Sequence, residues 1–245
     1  MANVNIFEEL APYARLTIPG SGVTVGQLNY VTQQDLYYTC EATFTSGVVP
    51  ANTQLQFFQA ALGDSATNAG YSSGTITTAQ SDSRFPRGQA AANQCFVGTS
   101  MGFSVNTISA ATPDSGFTVG LFSDPDDVYS LAQNFSWDLT IGRGIQRIIG
   151  PLAAYPGNDS VTVLQNQAGT AQAVTGNNVS TVGTVQLGKP SCGFTRLVVP
   201  IVFPPLINVT INAQNGSGFT LESATTVSVQ FRLTLRGYLM TMPVG

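Results

Sequence analysis

The segment Thr226–Arg236 constrains the fold more than any other part of the chain. Val227, Val229, Phe231, Leu233 and Leu235 alternate with Thr226, Ser228, Gln230, Arg232, Thr234 and Arg236. A helix would spread these apolar residues around its circumference. A strand puts them all on one face, because successive side chains point to opposite sides. Eleven residues of unbroken alternation therefore predict a long strand with one buried face. Leu36, Tyr38, Cys40, Ala42 and Phe44 alternate in the same way with Tyr37, Thr39, Glu41, Thr43 and Thr45, as do Ile207, Val209 and Ile211 with Asn208, Thr210 and Asn212. Trp137, Leu139 and Ile141 form a shorter instance, and so do Phe117, Val119 and Leu121.

Other segments read as interrupted or doubly buried strands. Leu55 to Leu62, with Phe57 and Phe58 on opposite faces, is expected to be one continuous buried strand. Leu197–Phe203 is apolar apart from Pro200, which points to an edge position or a bulge, since proline cannot donate to a ladder. Between Phe96 and Val105 the apolar parity slips from Val97 to Met101, and one extra residue in a bulge would produce that slip. Helix is scarce. Asp124-Pro125-Asp126-Asp127 supplies an N-cap, a proline at the first helical position and acids in the first turn, so a short helix is expected from Pro125 to Asn134. Residues 6–14 place Ile6, Phe7, Leu10, Ala11 and Ala14 on one helical face, although Pro12 opposes a helix there.

Ten to a dozen strands with almost no helix, and with no repeat of fixed period, make an all-β sandwich or barrel. The connections are too uneven for an up-and-down meander, and a jelly-roll β-sandwich accommodates them best. Two tandem rolls (about 23–125 and 126–245) would need about sixteen strands. One elaborated roll over 23–245, preceded by an N-terminal arm over 1–22, fits the strand count better, and a compact double jelly roll is the alternative.

Composition narrows the function classes. The chain of 245 residues is 43% hydrophobic but only 9% charged, against roughly a quarter in ordinary soluble domains. Little like-charge repulsion keeps copies apart, which suits a subunit whose surface neighbours cover; a secreted β protein with a polar, uncharged surface is the plainer reading. The net charge is −4, and the nine cations, Lys189 and eight arginines, are scattered. Clustered cations are what nucleic-acid binding needs, so no direct nucleic-acid partner is expected. There is no histidine, hence neither the commonest general base nor the commonest transition-metal ligand. Cys40, Cys95 and Cys192 are odd in number and lack CxxC spacing, so buried thiols from a reducing compartment are expected. The first ten residues lack the basic and apolar regions of a signal peptide, and synthesis in a cytoplasm is the expectation.

Nothing in the residue patterns supports catalysis or a cofactor. Asp124, Asp126 and Asp127 are the one weak calcium candidate, but their spacing fails the EF-hand pattern and a helix N-terminus accounts for all three. Gly142-Arg143-Gly144 lacks the Gly-Lys-Ser/Thr of a phosphate loop. Trp137, the sole tryptophan, sits in strand parity with Leu139 and Ile141 and reads as core rather than as a sugar platform. Two segments, Gly63 to Gln94 and Gln165 to Asn178, are long, polar and poor in apolar anchors. Loops of that length are commonly functional, and contact with another subunit or a host surface is the natural use here. The interface candidates are therefore Tyr71, Arg84, Phe85 and Arg87 in the first loop, with Ile6, Phe7 and Leu10 in the amphipathic N-terminal segment.

Three stretches together resemble the jelly-roll major capsid proteins of icosahedral, membrane-containing bacteriophages. They are the aromatic strand QLQFFQAALGD with its long polar loop and FVGTSMGFSV; the segment FSWDLTIGRGIQRIIGPLAAYPG; and the ending RLVVPIVFPPLINVTINAQ…TTVSVQFRLTLRGYLMTMPVG. The likeness is one of pattern and order over most of residues 30–240. It implies a viral jelly roll that self-assembles into trimeric or hexameric capsomers of a virion shell, with neighbouring capsomers, other virion proteins or an internal membrane as partners. A trimeric phage spike or fibre head that binds a receptor glycan is the alternative, and a carbohydrate-active enzyme a weaker third.

Overall fold

The computed structural model describes residues 10–71, 73–83, 85, 88–109, 125–143, 145–154, 161–162, 186–187, 194–221 and 226–243. Twelve strands lie among them. The first half of the chain carries β1 (Asn29–Phe44), β2 (Val48–Val49), β3 (Gln54–Phe57) and β4 (Gln94–Ser109). After a helix, α1 (Pro125–Asn134), come β5 (Phe135–Ile141), β6 (Ile145–Pro151), β7 (Val161–Thr162) and β8 (Gln186–Leu187). The remainder are β9 (Thr195–Phe203), β10 (Val209–Asn215), β11 (Phe219–Thr220) and β12 (Val227–Thr241). The protein is all-β, and α1 spans the residues its capping signals predict.

Eight strands form two antiparallel four-stranded sheets, ordered β1-β12-β4-β9 and β3-β10-β5-β6. Each joins distant parts of the chain: β1 pairs with β12, β3 with β10, β4 with β9, and β5 with β6. These four pairings nest inside one another, as in a single long hairpin. The added pairings β12 with β4 and β10 with β5 fold that hairpin over into two layers.

The period-two pattern explains the layering. In β12, Val227, Val229, Phe231, Leu233 and Leu235 are buried, and the residues between them face the opposite side. The buried faces of the two sheets meet through aromatic rings: Phe103 of β4 stands edge-on to Trp137 of β5 at 4.8 Å, and Phe135 of β5 lies 5.2 Å from Phe231 of β12. Such rings bury large apolar areas and gain further from edge-to-face geometry. Trp137 is fully buried, as its strand parity predicts.

The parity slip in β4 is a bulge. Arg236 pairs with Ser100 and Gly237 with Gly98, which leaves Thr99 as the extra residue. Phe96 faces the core before it and Met101, Phe103 and Val105 face the core after it, so one added residue reverses the parity. Gly237 is required opposite: a Cβ there would lie 2.2 Å from the Val97 carbonyl oxygen and 2.7 Å from Gly98 Cα. β9 is an edge strand whose register with β4 breaks between Ile201 and Arg196, around Pro200. Val198 is 94% exposed in that break.

One strand expectation fails. β3 ends at Phe57, and Phe58 takes a positive φ of 62°, so the chain turns there instead of running on to Leu62. The turn lets both aromatics enter the core: Phe57 packs 5.1 Å from Trp137, while Phe58 meets Tyr38 and Phe203, each at 5.5 Å. The expected strand at Phe117–Leu121 lies outside the described residues.

The outer face of the β1-β12-β4-β9 sheet is covered at one end. Cys95, Val97, Val202, Tyr238 and Met240 point away from the sandwich and pack with Leu10, Tyr13, Ile18, Val25 and Leu28 in a second apolar cluster. The Tyr13 hydroxyl donates to the Leu197 carbonyl at 2.6 Å. Residues 10–28 thus lie against their own sheet.

Candidate functional site

The long loop between β3 and β4 folds back onto the free edge of β1. Ser81 bridges to Tyr38, the Thr39 N–H donates to the Gln80 carbonyl at 2.8 Å, and the Tyr37 N–H donates to Asp82 Oδ1 at 2.7 Å. The Tyr37 hydroxyl donates to the Thr78 carbonyl. Ladder groups that an open edge would leave to solvent, or to another chain, are satisfied along this stretch. The loop earns its close approach at Gly70, whose φ is +87° and whose Cβ, if present, would stand 1.9 Å from the Glu41 carbonyl oxygen. Ala66, Ala69, Ile76 and Phe85 anchor the loop in the main core. These small anchors are spread among polar residues without periodicity, which is why the sequence reads as a protruding excursion.

Between this loop and the outer faces of β1 and β12 lies a cavity of about 250 Å³. Thr39, Gln230 and Arg232 contribute from the strands, and Tyr71, Thr77 and Gln80 from the loop. The Arg232 guanidinium rests over the Tyr37 ring at 4.4 Å, and the Gln230 amide donates to Glu41 at 3.4 Å. Beside the cavity, burial pushes the Asp82 carboxyl up to about 6; the nearby Asp35 carboxylate adds to that rise, while the Tyr37 N–H and Arg232 oppose it. Asp35 is itself held by Arg236 through two hydrogen bonds of 3.1 Å.

The interface candidates fall in different places. Tyr71 is half-buried and lines the cavity. Phe85 is buried, with its ring 6.0 Å from that of Phe203. Leu10 is buried in the second apolar cluster. Ile6, Phe7, Arg84 and Arg87 lie outside the described residues. Of the calcium candidates, Asp127 is fully buried in the first turn of α1; Asp124 and the Asp126 side chain lie outside the description. Among the described residues, no three His, Cys, Asp or Glu side chains come together as a metal site. Cys40 and Cys95 are buried free thiols; burial raises both, Cys95 to about 12.

The residues that sequence reading missed are Thr39, Gln230, Arg232 and Asp82. The first three stand on the polar side of the two longest alternating runs, so their face was legible. Their meeting with a loop some forty residues distant from β1's start, and far from β12, carries no local signal. No family model, no curated protein and no solved structure matches this chain.

Proposed function

We propose that this chain is a structural virion protein, a single viral jelly roll that self-assembles into trimeric capsomers of an icosahedral phage shell. The observation that carries the proposal is strand order. Counting only the eight strands of the large sheets, one sheet runs first–eighth–third–sixth and the other second–seventh–fourth–fifth. That order, a long hairpin rolled into two sheets, supports a jelly roll, an eight-stranded architecture that serves in capsid and lectin domains among others. Both sheets share one apolar core, which supports one roll over two.

A fold does not dictate a function, and composition supplies the second support. A chain with 9% charged residues and 43% hydrophobic ones is poorly protected against self-association, which a shell subunit turns to use. In this reading the role is assembly rather than catalysis, the location is the virion, and the partners are copies of the chain, neighbouring capsomers and other virion components. The polar cavity on the β1-β12 face favours a second reading, a spike or fibre head that binds a receptor glycan.

Size-exclusion chromatography with light scattering, followed by electron microscopy of the purified protein, tests the proposal. A trimer or larger species that closes into shells is the expected result. A monomer at every concentration, with no shell under any assembly condition, refutes it; isolated trimers that bind cells favour the spike.

A further inference from the structure

We propose that the cavity between the β3–β4 loop and the β1-β12 face binds a single neutral sugar ring. It lies within one protomer, so the inference holds whether or not the chain builds a shell.

Size is the first argument. About 250 Å³ falls below the roughly 300–1,000 Å³ of pockets for drug-sized ligands, and suits one ring rather than an oligosaccharide. The lining is the second. Tyr71 lines one wall, but its hydroxyl is closed off from solvent and does not reach a ligand there. The Gln80 carbonyl oxygen is already engaged by the N–H and hydroxyl of Thr77, at 2.7 and 2.8 Å, which orients the remaining NH₂ as a donor. Thr39 and Gln230 add a hydroxyl and an amide on the floor. A ligand rich in hydroxyls, each both donor and acceptor, matches such a set.

Charge decides between a neutral and an acidic sugar. Among the described residues Arg232 is the one cation lining the cavity, and Glu41 and Asp82 stand close by and offset it. Its guanidinium is also engaged over the Tyr37 ring, 4.4 Å from the centroid. The walls are held before any ligand arrives, because residues 78–82 are tied to Tyr37 and Thr39 by backbone and side-chain hydrogen bonds. Such preorganisation limits the entropy lost on binding.

The test is saturation-transfer NMR on the full chain with glucose, galactose, N-acetylglucosamine and glucuronate, each titrated through the millimolar range. At least one neutral sugar should bind, more tightly than glucuronate. Gln230→Leu, on the solvent side of β12, removes a lining amide and should weaken it at least tenfold while leaving the melting temperature unchanged. Should that variant melt early, the isosteric Thr39→Val serves in its place, with the same loss expected. No transfer from any neutral sugar, glucuronate binding more tightly than all of them, or undiminished binding in a folded variant overturns the proposal.

Discussion

Asp82→Asn isolates the electrostatic cost of closing the loop over β1. In the folded protein the Asp82 carboxyl rises from 3.8 to about 6, chiefly through burial. A rise of about two pH units corresponds to at most roughly 3 kcal/mol between protonation states. Asp82 is only part-buried, so solvent screening reduces the figure to about 1–2 kcal/mol. The folded-state value lies above the unfolded one, hence the native state holds its proton more tightly. The contribution to stability is therefore fully present below about pH 4, falls as pH rises toward 6, and is lost above that. An amide can still accept the Tyr37 N–H but does not titrate. Urea unfolding of both proteins near pH 4, 5, 6 and 7 at constant ionic strength gives the difference directly, because carboxylates remote from position 82 titrate alike in both. The variant should gain about 1–2 kcal/mol on the wild type between pH 4 and 7. A difference that stays constant across that range would falsify the assignment of a buried, ionised Asp82.

Three further outcomes follow from the packing. Gly237→Ala should cost about 3 kcal/mol or more in urea unfolding, because the new methyl would meet the Val97 carbonyl and Gly98 backbone at the bulge, neither of which can rotate away. Tyr13→Phe should cost about 1–2 kcal/mol by removing a buried donor from the Leu197 carbonyl; no loss would mean residues 10–28 do not hold their place on the sheet in solution. Cys40 and Cys95 should resist a thiol reagent near pH 8 in the native protein and react after unfolding, since burial disfavours both thiolates.

Much of the sandwich is legible along the chain, for a physical reason. A strand buried on one face must alternate, so the runs in β1, β5, β10 and β12 declare their existence and their inward residues together. The helix over Pro125–Asn134 is equally local, because its capping residues are sequence neighbours. The β4 parity slip and Pro200 likewise mark irregular pairing before any partner is known. Phe57 and Phe58 mislead, because two adjacent aromatics read as a strand buried on both faces. Only the core around Trp137, Tyr38 and Phe203 makes it favourable to hold Phe58 at positive φ and bury both rings on one side of a turn.

The 63–94 loop marks the limit. Local composition established that it is polar and long, and overall composition that the whole chain carries few charges. Which strand edge the loop closes, which hydroxyls and amides it brings over Gln230 and Arg232, and why Asp82 titrates late depend on pairings between residues about forty to two hundred apart in sequence. Those pairings follow from how nested strands roll into two sheets. Alternation determines which face of each strand is buried; only the closed sandwich decides what meets the other face.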